Sequence, residues 1–283
     1  MIRLLAKPVA ESIQNNVRER ALAFFKRKKR KPNLAVVLVG QDPASMIYTQ
    51  RKGDTAQTLE MDHKTITFPA KINPSEVKIA VEELNADPTV DGILIQRPLP
   101  GNFREEEVLY WVSPEKDVDA FHPMNAGKLF LGLPAFRPCT PAGIMELLKF
   151  YEINPAGKLA CIIGRSSIVG KPMASLLLQA DATILHCHSK TPNLDKITKQ
   201  ADILVVAAGK MGLIDRSFVR KGAVVIDVGM HRNKEGKLAG DVQFEAVSEL
   251  ASAITPVPGG VGPMTIAILM QNTIFAAEQR ESV

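Results

Sequence analysis

Tyr48 and Lys52 stand four residues apart in a stretch with helical patterning, so their side chains share one helix face. A lysine set among apolar walls beside an amide can have its ammonium destabilised enough to shuttle protons near neutrality. Gln96 is a candidate for that amide, because it ends the apolar run Ile93-Leu94-Ile95, which reads as a strand. Without context, Tyr48 and Lys52 read more readily as a surface lysine packed over a tyrosine. Their helix follows a strand ending at Gly40, which places its start at the carboxyl edge of a sheet, where open α/β folds bind ligands. Asp119, in Lys116-Asp117-Val118-Asp119, lies in a segment joining two halves of the chain, where clefts form. Aspartates capping a turn would explain that motif as well.

A second kind of chemistry follows Leu159–Ile163. The turn Gly164-Arg165-Ser166-Ser167-Ile168-Val169-Gly170-Lys171-Pro172 carries glycines that admit a phosphate to the main chain, and it opens onto a helix N-terminus. Its spacing is not G-x-G-x-x-G, so a plain strand-to-helix turn is the competing reading. The next strand ends His186-Cys187-His188-Ser189-Lys190-Thr191, with no carboxylate to accept from a ribose 2′-hydroxyl. Hydroxyls, a cation and Arg165 nearby suit a 2′-phosphate, so the sequence leans to NADP over NAD. His186 and His188 share a strand face, but no third metal ligand is apparent, and they read as structural or cofactor-rim residues. Cys139, Cys161 and Cys187 read as buried small hydrophobes. Thr255-Pro256-Val257-Pro258-Gly259-Gly260-Val261-Gly262-Pro263-Met264-Thr265 is apolar and stiffened by proline, and its glycines let a ligand sit against main chain.

The elements that must position these residues form two alternating blocks. The first reads as a helix over 9–30, a strand at Leu34–Val39, a helix over 44–61, a strand over 64–68, a helix capped by Ser75 through Leu84, and a strand at Ile93–Gln96. The second reads as a helix over 141–151, then strands near 159–163, 183–186, 203–207 and 224–228, with a helix over 172–179. Parallel sheets covered by helices follow. The Pro- and Gly-rich stretch 98–141 is expected to connect the blocks. With 283 residues and 46% hydrophobic content, two globular domains are expected and disorder is excluded. Prolines and glycines break the uncharged stretch 250–277 as a membrane span, and no export signal is seen. Three cysteines without CxxC spacing suit a reducing cytosol. The net charge of +5 is outweighed by six cations at Lys26–Lys31, which read as a solvated helix end facing the helix dipole rather than a nucleic-acid surface.

Taken together, these motifs resemble the bifunctional methylenetetrahydrofolate dehydrogenase/methenyltetrahydrofolate cyclohydrolase family. The resemblance runs through Gly40-Gln41-Asp42-Pro43-Ala44-Ser45 with Tyr48 and Lys52, Asp91–Gln96, Lys116–Asp119, Gly164–Pro172, His188-Ser189 and Pro256–Thr265. It implies an α/β substrate domain (1–120 plus 263–283), a connecting segment (121–140) and a Rossmann-type NADP-binding domain (141–262), with a cleft between the domains. It also implies a homodimer, a folate substrate and no metal. Tyr48, Lys52, Gln96 and Asp119 fall on the family's active-site positions. Pro258, Gly259, Gly260 and Val261 are carried over as substrate-binding, and Gly164, Arg165, Ser166, Ser189 and Met230 as cofactor-binding.

Four positions depart from the family's usual residues: Arg97 for Leu, Ala120 for Gly, Met230 for Ile and Gln243 for Asp. The implied chemistry is oxidation of 5,10-methylenetetrahydrofolate by NADP, then hydrolysis to 10-formyltetrahydrofolate. Lys52 would be the proton shuttle, Gln96 its orienting partner, Tyr48 a platform for the folate and Asp119 the acceptor of pterin N–H groups. The rivals are a monofunctional member of the family, another two-domain NADP oxidoreductase acting on a small keto or hydroxy acid, and a nucleotide-sensing or nucleic-acid-binding module.

Overall fold

In the computed structural model, which describes residues 1–280, two residues are extended at the amino terminus, Ile2–Arg3 (β1), before a helix at Ala6–Lys28 (α1). The β-α-β-α-β block then follows as Asn33–Val39 (β2), Pro43–Thr58 (α2), Asp62–Phe68 (β3), Pro74–Ala86 (α3) and Gly92–Ile95 (β4). The strands pair in parallel in the order β3-β2-β4. Leu34 through Val39 are buried along their whole length, as an apolar central strand requires, while β3 at the edge alternates in exposure. Helix α2 starts where Asp42 accepts from the Ser45 N–H at 2.8 Å and Pro43 takes the first turn. The cap of α3 is Asn73, not Ser75. Ser75 supplies the N–H that Asn73 accepts, at 3.1 Å, because Pro74 moves the helix start one residue ahead of the serine.

Asp91, at the foot of β4, is fully buried and accepts two hydrogen bonds from Arg30 at 2.7 and 2.9 Å. It also accepts from the Asn33 N–H at 3.0 Å and from Arg280 at 3.2 Å. Part of the basic run is therefore structural: Arg30 serves this carboxylate and Lys31 pairs with Glu60 at 2.9 Å.

The stretch expected to be a plain connection folds with this same unit. It contains Glu105–Val108 (α4) and Pro123–Phe130 (α5), and Asn125 donates to Pro114 O and Asp117 at 2.9 Å each. The remainder runs through Cys139–Phe150 (α6), Leu159–Ile163 (β5), Gly170–Gln179 (α7), Thr183–Cys187 (β6), Leu194–Thr198 (α8), Ile203–Val206 (β7) and Val224–Asp227 (β8). The hairpin strands His231–Arg232 (β9) and Leu238–Ala239 (β10), then Phe244–Ser248 (α9), Ala253–Ile254 (β11) and Val261–Arg280 (α10) complete it.

A six-stranded parallel sheet has the order β1-β11-β8-β7-β5-β6. Its amino-terminal strand pairs Ile2 with Ala253 and Arg3 with Ile254, so one unit comprises Met1–Glu11 with Pro138–Thr265, and the other Ser12–Arg137 with the chain from Ile266. Two-residue strands carry no periodicity to read, which is why residues 1–11 group by sequence with their neighbours and by structure with the larger sheet. All three cysteines are buried free thiols; Cys161 and Cys187 lie on neighbouring strands with sulfurs 3.8 Å apart.

Ala120 adopts φ +63°, in the left-handed region. An L residue there carries about 1–2 kcal/mol of strain, more than the about 0.4–1 kcal/mol that glycine's unfolded-state freedom costs. Ala120→Gly is expected to stabilise the chain by about 1 kcal/mol, read as a higher denaturant midpoint at unchanged m-value. A lowered midpoint rejects the strain.

Candidate active site

Parallel pairing brings the first pair of candidate groups together. The Gln96 N–H donates to Val37 O at 2.8 Å, extending the β2–β4 ladder one step past β4 and placing Gln96 beside the helix that leaves β2. Lys52, on the third turn of α2, is 6% exposed, and its Nζ donates to Gln96 Oε1 at 2.7 Å. The Gln96 amide is oriented by its other end, where Nε2 donates to Arg97 O at 2.6 Å. Its carbonyl is therefore turned to the ammonium, which is the arrangement expected from a paired lysine and amide. Tyr48, one turn earlier, is half-buried; burial raises its phenol above the usual value, against the opposing pull of Arg51.

The Lys116–Asp119 motif divides into a structural and a solvent-facing part. Lys116 is buried and donates to Leu84 O and Asp87 O at 3.0 and 2.6 Å. Its pKa falls to about 8, first through burial and then through repulsion by Arg280, against the attraction of Asp87, Asp91 and Glu115. Asp117 accepts from His122 N–H at 2.8 Å and from Asn125, the turn-stabilising role available to an aspartate here; burial raises its pKa against those bonds. Asp119 is half-buried and lines a small cavity of about 30 Å³ with Arg97, Phe121 and His122. Arg97, the departure beside Gln96, pairs with Glu105 and lies over the Phe121 ring at 5.5 Å. Its charge is thus committed to partners on its own unit.

Pro258, Gly259, Gly260 and Val261 belong to the other unit. Gly259 sits at φ +102° and its carbonyl accepts from Ala6 N–H at 2.9 Å. A side chain at Gly260 would collide with Thr255 and Pro256.

The phosphate-type turn lies at the carboxyl end of β5, between β6 and β7 in the sheet, where the connections leave in opposite directions. Gly164 has φ +120°, and a Cβ there would overlap Ala207 O; a Cβ at Gly170 would overlap Gly164 O. These glycines are required by close packing of main chain. The helix terminus is more occupied than expected. Ser166 Oγ accepts from Val169 and Gly170 N–H groups at 3.2 and 3.4 Å, and Ser166 O accepts from Lys171 N–H at 3.0 Å. His186 is a bracing residue, with Nε2 2.7 Å from Gly164 O. Arg165, Ser189 and Lys190 are exposed and follow strand ends that pair Ile163 with Cys187, so they share one edge. Among the described residues no group of three or more metal-ligating side chains could hold a metal ion.

Sequence reasoning missed Asp227, Asp241 and His231, which no motif marks. Asp241 is fully buried and accepts from Ala208 and Gly209 N–H groups at 2.7 and 2.9 Å and from His231 at 2.7 Å. Asp227 and Asp241 bond the two chain neighbours of Met230, Gly229 and His231, while Met230 itself, a candidate cofactor residue, is exposed.

A Rossmann-type parallel sheet with a glycine turn at its switch point, joined in one chain to a second parallel sheet bearing a buried lysine–amide pair, defines a nucleotide-dependent α/β enzyme. The model of the tetrahydrofolate dehydrogenase/cyclohydrolase catalytic domain matches residues 4–119, and that of the family's NAD(P)-binding domain matches residues 138–281. A bifunctional protein FolD of Ligilactobacillus salivarius is 53% identical over 271 residues, 96% of this chain and 95% of that protein. The crystal structure of the bifunctional FolD enzyme of Campylobacter jejuni superposes with a TM-score of 0.96 at 45% identity, covering 99% of each chain. The Trypanosoma brucei FolD structure, complexed with NADP cofactor and inhibitor, gives a TM-score of 0.95 at 33% identity, covering 100% of this chain and 99% of that one. The chain belongs to the tetrahydrofolate dehydrogenase/cyclohydrolase family.

Lys116 makes the motif's structural half testable. Its folded pKa of about 8 lies below the ordinary 10.5, so the folded chain holds fewer protons than the unfolded one between those values. The contribution of this group to stability therefore rises as pH climbs from about 8 to 10.5. Denaturant melts at pH 8 and pH 10 should show a smaller gain for Lys116→Met than for the parent chain; equal gains remove the assignment.

Proposed function

We propose that this chain oxidises 5,10-methylenetetrahydrofolate to 5,10-methenyltetrahydrofolate with NADP⁺ and hydrolyses that product to 10-formyltetrahydrofolate, serving one-carbon metabolism. The observation that carries the reading is the buried Lys52 ammonium donating to a pre-oriented Gln96 at the carboxyl edge of its sheet. The nucleotide edge fits NADP: Arg165, Ser189 and Lys190 are exposed there, and the end of β6 has no carboxylate to repel a 2′-phosphate. NADP, when bound, accepts the hydride that leaves the methylene carbon. The chain's own part in that step is distance and orientation.

In the second step water adds to the methenyl carbon. The bond from that carbon to N5 breaks, the formyl group remains on N10, and one proton is released overall. Lys52 Nζ exchanges the protons that leave the water and arrive at N5, and Gln96 keeps it aimed. Tyr48 packs on the folate, Asp119 accepts from the pterin N–H donors, and Pro258, Gly259, Gly260 and Val261 complete the substrate contacts. Gly164, Arg165, Ser166, Ser189 and Met230 hold the nucleotide. No helix among the described residues is long and apolar enough to cross a membrane. We place the protein in the cytosol, supported by its three free thiols, and as a homodimer, whose mass light scattering would read directly.

The deciding assay supplies methylenetetrahydrofolate with NADP or NAD and follows methenyl and formyl products separately. Lys52→Met is expected to lower methenyl hydrolysis about a thousandfold, the range of a positioned acid–base group, while NADP still binds. Hydrolysis that survives the substitution takes the role from Lys52, and nucleotide reduction without folate favours a keto- or hydroxy-acid enzyme.

A further inference from the structure

Two buried carboxylates tie together the loops that follow β7 and β8. Asp241 Oδ2 accepts from Ala208 N–H at 2.7 Å and Gly209 N–H at 2.9 Å, and its Oδ1 accepts from His231 Nε2 at 2.7 Å. Asp227 Oδ1 accepts from Gly229 N–H at 2.9 Å and Asp241 N–H at 3.0 Å, and Oδ2 from Val242 N–H at 3.0 Å. Thr255 Oγ1 accepts from Asp227 N–H at 2.7 Å, holding the base of the network. Glycine is needed on both sides: a Cβ at Gly229 would overlap Asp241, and one at Gly240 would overlap Asp227. Burying two carboxylates side by side is costly unless each is fully hydrogen-bonded, and here main-chain N–H groups supply most of the bonds. Burial and the neighbouring Asp241 hold Asp227 at a pKa of about 6, against its three main-chain bonds.

The place of this network in the sheet says what it serves. Residues at the ends of β5 and β6 take the phosphate side of a dinucleotide, and β7 and β8 lie on the other side of β5. A dinucleotide spanning the switch point must put its nicotinamide half over the ends of β7 and β8. Met230 stands there with both neighbours clamped, Gly229 by Asp227 and His231 by Asp241.

We propose that Asp241, His231 and Asp227 are positioning residues that hold the Ala208-Gly209 turn and Met230 in the geometry that receives the nicotinamide half of the cofactor. The inference rests on the NADP reading of this edge and adds to it the residues that fix one half of the site. His231 is the informative member, because its side chain is 25% exposed and its removal leaves the buried carboxylates with their main-chain donors.

Calorimetric titration of the full chain with NADP⁺ and with 2′,5′-ADP, which lacks the nicotinamide half, tests it. His231→Leu should weaken NADP⁺ about tenfold, the loss of one hydrogen bond to a charged group, and leave 2′,5′-ADP nearly unchanged. His231→Gln, which keeps a donor, should recover most of the NADP⁺ affinity. Asp241→Asn should weaken NADP⁺ further, and if it fails to fold the two His231 variants still decide. Unchanged NADP⁺ affinity in His231→Leu, or parallel loss of both ligands, overturns the proposal. A parent chain that binds neither ligand instead overturns the nucleotide reading on which it rests.

Discussion

Parallel strand pairing is the constraint on which the chemistry depends. Parallel strands all present their carboxyl ends at one edge, and the segments leaving those ends converge without any further design. In the smaller sheet this brings together Lys52, on the helix that leaves β2, and Gln96, which steps off β4. The bond from Gln96 N–H to Val37 O shows how little separates ladder from site, since one main-chain pairing sets the position from which the amide reaches the ammonium. In the larger sheet the same rule collects the Gly164 turn, the end of β6, the Ala208-Gly209 turn and Met230 at one edge.

Charge burial is handled differently at each of the places where it occurs, and the difference tracks function. Asp91 and Lys116 are satisfied wholly by the fold: two arginines and a main-chain N–H for the carboxylate, two carbonyls for the ammonium. They tie the segment after α1, the start of β2 and the end of α10 to the foot of β4, and the Lys116 segment to the end of α3. Asp227 and Asp241 are likewise saturated, but by main chain from loops at the nucleotide edge, so their satisfaction shapes those loops. The Lys52 ammonium donates to Gln96, a neutral amide whose own orientation is fixed by Arg97 O, so this bond aims the charge at the sheet edge.

Much of the architecture was legible because buried parallel strands are short apolar runs between turn signals: Leu34–Val39, Leu159–Ile163 and Val224–Ile226 all announce themselves. Lys52 and Gln96 were legible through strand order and helical spacing. Other features had no local signal. Two-residue strands such as β1 and β11 arise only because a neighbouring edge offers them a partner. The cap at Asn73 is displaced from the serine that resembles it by a single proline. The division of labour inside Lys116–Asp119 depends on carbonyls contributed from α3 and an amide from α5, which a one-dimensional motif does not contain.

By itself the amino-acid order determined the fold class, the alternation of elements, the glycine turn, the absence of an acid after β6, and the pairing of residue types suited to proton exchange. These follow from periodicity, turn chemistry and charge, which act over a few residues. Tertiary structure alone decided which acids and bases are structural, where the amino terminus packs, and that Asp227 and Asp241 clamp the residues on either side of Met230. Those outcomes hinge on which buried polar groups find partners from distant segments, and such partners exist only once the chain has folded.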